Sequence, residues 1–129
     1  MLAAMKVLGI VWVGTRTDRF HDMASFFEHT LGFTQAEQTD GFRNYRLPNA
    51  DGVELFGPEE RDHVHMTTGP VPGFLVSDLD EAVGELRAAG IELIGDTRHE
   101  GAYGWQHFRA PDGNLYELVE DRRRLGTVG

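Results

Sequence analysis

The sequence predicts an α+β fold of two βαβββ modules, whose mostly antiparallel, curved sheets enclose a pocket. Three observations carry that prediction. Signals for strand, helix and three further strands occur in order and then repeat, a turn motif recurs at fixed spacing, and the composition is that of a soluble globular domain. The chain has 129 residues, of which 40% are hydrophobic and 26% charged. That length holds one domain with a real core and is short for two ordinary ones. The expected layout is a single domain over 1–129. Module one covers about 6–57, a linker about 58–70, module two about 71–120 and a tail 121–129.

Residues 6–14 (KVLGIVWVG) are β-branched and apolar, as in a buried strand. Thr17 and Asp18 offer an N-cap. Phe20, Met23, Ala24, Phe27 and Leu31 then recur at helical spacing until Gly32 stops the helix. Residues 33–39 and 42–47 flank Asp40-Gly41, a hairpin signal. The turn cluster 48–52 leads into a strand at 53–56. Residues 57–69 lack periodicity and read as the connection.

Module two repeats the order. Residues 73–76 form a short buried strand, and Asp78 with Glu81 makes a capping-box pattern. Leu79, Ala82, Val83, Leu86 and Ala89 supply the apolar helix face, closed by Gly90. Strands are expected at 91–94, 104–109 and 114–120, with a Pro-Asp-Gly-Asn turn at 111–114. The tail from Arg122 onward reads as frayed.

The two halves agree in register. Arg46-Leu47-Pro48 followed by Glu54-Leu55 is answered by Arg109-Ala110-Pro111 followed by Glu117-Leu118, each residue 63 positions on. A helix covers only one face of each sheet, so the other needs a second copy or a ligand. Strand twist makes that uncovered face concave, the expected floor of a binding site.

Composition excludes several partners. The net charge of −9 and the absence of a basic stripe with interleaved aromatics argue against nucleic acid. No apolar run is long enough to span a bilayer, and the N-terminal residues lack the pattern of a signal peptide, so a cytoplasmic address is expected. With no cysteine, disulfides, thiolate nucleophiles and Cys-based zinc sites are absent, leaving any metal to His and carboxylates.

The pattern Phe26-Phe27-x3-Leu31-Gly32-Phe33, then Gly52-Val53-Glu54-Leu55-Phe56, then Val76-x-Asp78-Leu79-Asp80-Glu81-Ala82, then Pro111-Asp112-Gly113-Asn114-x-x-Glu117-Leu118 resembles the vicinal oxygen chelate superfamily. That group contains glyoxalase I, bleomycin resistance protein and the extradiol dioxygenases. The resemblance spans roughly residues 6–120 and implies paired βαβββ modules and homodimerisation. It also implies a divalent metal held from the first and last strands of each module. The last-strand positions match as Glu54 and Glu117. The first-strand positions fall on Val71 in module two and on Trp12 or Val13 in module one, none of them a metal ligand. No metal or other cofactor is therefore expected, and extradiol dioxygenase chemistry, which needs two His and one carboxylate, is excluded at that site. A divalent ion would need Glu54 and Glu117 together with His65 or His107.

Glu54 and Glu117 are also the candidate acid–base groups, with His107 as a proton-transfer partner. A carboxylate among apolar neighbours is costly unless paired, metal-bound or protonated, and Arg46 and Arg109 are the ordinary structural partners. Trp12, Phe56, Tyr103 and Trp105 are candidates for an aromatic pocket wall. Phe20, Phe26, Phe27 and Phe74 are assigned to the core, and His21 and His29 to the surface of the first helix. The expected function is binding of an apolar, aromatic or cationic small molecule, as the resistance members of the family do. The alternative is a glyoxalase-type lyase or isomerase using a non-standard metal site or the paired carboxylates.

Overall fold

The structure is a computed structural model and describes residues 5–125. It is a mixed α+β fold that divides into two compact units. The first is Trp12–Val71, and the second takes in the described residues from Pro72 onward together with residues 5–11. The backbone N–H of Leu8 belongs to the second unit, donating to the carbonyl of Leu75 at 2.8 Å.

In the first unit, strand β1 (Gly9–Arg16, of which Trp12 onward belongs here) leads to helix α1 (Phe20–Ser25). A π-helical turn (Phe26–Thr30) extends that helix, and β2 (Gln35–Thr39), β3 (Phe42–Arg46) and β4 (Gly52–Phe56) follow. β2 pairs antiparallel with β3, β3 antiparallel with β4, and β4 parallel with β1. The second unit repeats this with β5 (Val71–Leu75, of which Pro72 onward belongs here), α2 (Leu79–Ala88), β6 (Glu92–Glu100), β7 (Tyr103–Arg109) and β8 (Leu115–Asp121). Its β6–β7 and β7–β8 pairs are antiparallel and its β8–β5 pair is parallel. Each four-stranded set is therefore mostly antiparallel, as expected, with two antiparallel pairs and one parallel pair. The helix returns the chain to the end where it started, so β2 runs as β1 does, and two hairpin reversals bring β4 back alongside β1 in the same direction.

The first core comprises Phe20, Ala24, Phe27, Tyr45, Val53 and Leu55. Phe27 stacks on Phe33 and meets Tyr45 edge-on, with centroids 5.1 and 5.6 Å apart. The Tyr45 hydroxyl donates to Glu28 Oε2 at 2.8 Å, so the buried ring keeps a partner for its polar end. Phe26, assigned to the core from sequence, is instead 43% exposed, as is Leu31 at 50%. The π-helical turn causes the second displacement. Leu31 N–H bonds back five residues to the Phe26 carbonyl at 3.0 Å, and the wider turn rotates Leu31 off the stripe set by Phe20, Ala24 and Phe27. The N-cap also shifts, to Arg19, whose N–H donates to Thr17 Oγ1 at 3.0 Å.

The second core comprises Val76, Leu79, Ala82, Val83, Phe108 and Leu118. Asp78 caps α2 as expected, accepting from Glu81 N–H at 3.0 Å. The buried Glu120 carboxylate takes another end group, Leu79 N–H, at 2.9 Å. β6 runs six residues beyond its expected end, through a register irregularity between Ile94 and Arg98 where Gly95 has φ +73. Gln106 makes this possible. Its amide donates to the carbonyls of Ile94, Gly95 and His107, and its oxygen accepts from Thr97, so the irregular backbone keeps its partners. The tail begins with a helical turn, α3 (Arg122–Leu125), rather than frayed chain. Arg123 pairs with Asp121 at 2.9 Å, and Arg122 N–H donates to Ala102. The rest of the expected tail lies outside the described residues. No helix of the described residues is long and apolar enough to cross a membrane.

Candidate functional site

Each sheet turns one face to its helix. In the first unit Val53 and Leu55 lie on that face, so alternation puts Gly52, Glu54 and Phe56 on the other. The register sets Trp12, Gly14 and Arg16 on β1 beside Gly52, Glu54 and Phe56, with Arg46, Asn44 and Phe42 on β3 at their other side. Trp12 Nε1–H donates to Glu54 Oε1 at 2.7 Å. The indole lies over Gly14, where a Cβ would overlap its six-membered ring. Phe56 is buried with the His63 ring stacked on it at 3.9 Å, and His63 Nδ1 is 2.8 Å from Glu60 Oε2. His65 sits beside His63, ring centroids 6.2 Å apart.

In the second unit Leu118 and Phe108 face the helix, leaving Glu117 and Val119 on β8 and Tyr103, Trp105 and His107 on β7 for the opposite face. Gly73 of β5 is the register partner of Glu117 on its other side. His107 Nε2 and Glu117 Oε1 are 2.9 Å apart, the residues being 5% and 3% exposed. Glu117 Oε2 is buried and has no hydrogen-bond partner among the described residues. Burial lowers the His107 imidazolium to about 4 and raises the Glu117 carboxyl well above its ordinary range. Both shifts favour the uncharged forms, so the pair holds one proton on Glu117 rather than a charge on either side chain. Tyr103 and Trp105 lie next along β7 with their rings 5.8 Å apart.

The arginines considered as partners for these acids are directed elsewhere. Arg46 donates to the Ala50 carbonyl at 3.1 Å, and Arg109 donates to the Gly113 carbonyl and lies 3.4 Å from Glu92. The groups that do meet the two acids are ring nitrogens: the Trp12 indole N–H, which the sequence did not single out as a partner, and His107 Nε2, which it named as a proton-transfer partner. The two glycines were missed as well. Gly14 and Gly73 each sit on a first strand opposite a last-strand acid. A glycine inside an apolar strand was the available signal, since it marks a close approach.

Symmetry of register also resolves the position left open in module one. Trp12 precedes Gly14 by two residues, as Val71 precedes Gly73, so Trp12 and Val71 are equivalent and Val13 falls on the helix side. Divalent metals need several O or N donors around one point. The indole is a donor only, Val71 and both glycines carry no ligand atom, and Glu117 is bonded to His107 within its own unit. No group of three His, Cys, Asp or Glu side chains able to hold an ion occurs among the described residues. The donor set therefore does not fit the family's metal.

Two βαβββ units, each bearing an acid on its last strand opposite a first-strand glycine, define a paired-module fold class. The chain belongs to the Glyoxalase/Bleomycin resistance protein/Dioxygenase superfamily, whose pattern matches residues 9–118. Among solved structures it is similar to methylmalonyl-CoA epimerase from Mycobacterium tuberculosis, at 26% identity and TM-score 0.67, covering 98% of this chain and 96% of that one. It is also similar to a superfamily member from Vibrio splendidus 12B01, at 21% identity and TM-score 0.64, covering 92% and 100%. The Streptomyces coelicolor methylmalonyl-CoA epimerase in complex with 2-nitronate-propionyl-CoA matches at 19% identity and TM-score 0.64, covering 90% and 99%. The search of curated proteins found no match.

Proposed function

We propose that this chain is a small-molecule-binding member of the superfamily that works without the family's divalent metal and takes an apolar, aromatic or cationic ligand. The observation that carries this reading is the Trp12–Glu54 bond, which commits the module-one acid to an indole N–H at the position where the family places a ligand. In the second unit the half-buried Tyr103 and Trp105 rings offer stacking faces for a flat ligand. The reading includes a homodimer in the cytoplasm, the first measurable by light scattering. Metal analysis of untagged protein before and after chelator should find no stoichiometric divalent ion and no change in melting temperature. A thermal-shift screen with aromatic and cationic compounds should give a dose-dependent rise. Stoichiometric metal whose removal lowers the melting temperature would sink the reading.

The buried Glu117–His107 pair favours a second reading, an isomerase or lyase in which the acid itself moves a proton. Holding a proton, with Oε2 unpartnered among the described residues, Glu117 can donate to a bound carbonyl compound and, once ionised, take a proton back. The likeness to methylmalonyl-CoA epimerase supplies a first substrate to try. Incubation with methylmalonyl-CoA in heavy water should introduce deuterium at the carbon between the carbonyls if this reading holds. Absence of exchange with chelated protein would count against it for that substrate.

A further inference from the structure

We propose that Arg16, together with the Phe56–His63 stack beside it, is a recognition site for the carboxylate of a small aromatic acid. The proposal rests on the aromatic-ligand part of the small-molecule reading above, in place of a cationic ligand, and adds a carboxylate at one end. Arg16 closes β1 as the register partner of Phe56, which puts it on the sheet face turned away from α1, two residues from Gly14. Its Nε is buried and has no hydrogen-bond partner among the described residues. Nη2 donates to the Pro58 carbonyl across 3.3 Å, at the long end of the range. A guanidinium offers five N–H donors in a rigid plane, and its Nε–Nη2 edge matches the two oxygens of a carboxylate. Leaving a buried donor of a charged group unmade is costly, so an arginine kept in this state is built for an acceptor that arrives from outside. The neighbouring acid is already engaged. Glu60 holds His63 Nδ1 at 2.8 Å and accepts from the backbone N–H groups of Asp62 and His63. The His63 ring, part-exposed and backed at 3.9 Å by the buried Phe56 ring it stacks on, extends the site with a flat face suited to an aryl group. The ligand so defined is flat at one end and carries a planar monoanion at the other. Phosphate lacks the flat end.

Benzoate and benzamide separate charge from shape, being nearly isosteric. At constant ionic strength, millimolar benzoate should raise the melting temperature of the wild-type chain and benzamide should not. Arg16→Met should weaken benzoate by about tenfold or more, and Arg16→Lys should recover only part of the loss, because a point charge replaces a bidentate edge. Without ligand, Arg16→Met should melt at or above the wild-type temperature, since the methionine removes an unmet donor and keeps the apolar stem. A purely structural arginine would instead lower it. Should that variant fail to fold, benzoate titrated into wild-type protein should still shift the ring resonances of Phe56 and His63. Equal responses to benzoate and benzamide, silence to benzoate, or a benzoate response that survives Arg16→Met would overturn the proposal. Silence to benzoate combined with a response to other aromatic compounds would overturn this site alone and leave the wider binding reading standing.

Discussion

The indole of Trp12 reaches across from β1 to β4, folds over Gly14 and places its N–H 2.7 Å from Glu54 Oε1. The glycine and the hydrogen bond depend on each other, because the ring can reach the carboxylate only where no side chain stands between.

Trp12→Phe keeps most of the ring and deletes the donor. It should cost about 1–2 kcal/mol, the worth of a side-chain hydrogen bond in a partly buried setting. Paired with Glu54→Gln in a double-mutant cycle read by urea unfolding, the coupling should be about 1 kcal/mol. Additive losses would show that the two side chains do not communicate.

Gly14→Ala should displace the Trp12 ring, because the new methyl would occupy its place. The expected loss is about 1–3 kcal/mol from overpacking, with a change in tryptophan fluorescence as the indole leaves Glu54. In a Trp12→Ala background the same substitution should be nearly silent.

The Glu117–His107 pair predicts opposing pH dependences. His107 titrates near 4 when folded and near 6.5 when unfolded, so the unfolded chain binds a proton in that window that the folded chain refuses. Stability therefore falls as pH drops from 6.5 toward 4, by up to about 3 kcal/mol. Glu117 has the other sign. Its folded carboxyl keeps a proton that the unfolded chain releases above 4.5, so stability falls as pH rises from there toward the raised value. Glu117→Gln cannot ionise, and its stability relative to wild type should improve as pH rises above the ordinary carboxylate range. Parallel denaturation curves for the two proteins across that rise would refute the assignment.

Gln106→Leu should be among the costlier single changes in the second unit. The amide holds three backbone carbonyls around the Gly95 irregularity, and leucine would leave them without a donor in a buried place. A loss of about 2–4 kcal/mol is expected, with faster amide exchange concentrated in residues 94–98. Asp78→Ala, which deletes an exposed cap of α2, should cost only about 1 kcal/mol.

Much of this architecture was legible in the residues. Asp40-Gly41, Asp78 and Gly90 carry turn, cap and stop chemistry that acts over a few positions, and each does its expected work. The paired Glu54 and Glu117 could be found from the repeat alone, because a 63-residue offset needs no coordinates. Leu31 and β6 departed from expectation where the backbone left regular geometry. A π-helical turn and a strand irregularity both shift side-chain phase by an amount that hydrophobic spacing does not encode.

The sequence by itself determined the class of fold, the order of its elements and which two acids are equivalent, since those follow from local propensity, periodicity and repetition. Only the tertiary structure decided what each acid meets. Trp12 finds Glu54 across 42 positions and His107 finds Glu117 across 10, contacts set by strand register between segments that carry no mutual signal in sequence. Whether a carboxylate is ionised, paired or protonated depends on that register and on the water it excludes, which is why the chemistry of the site appears only after the chain has folded.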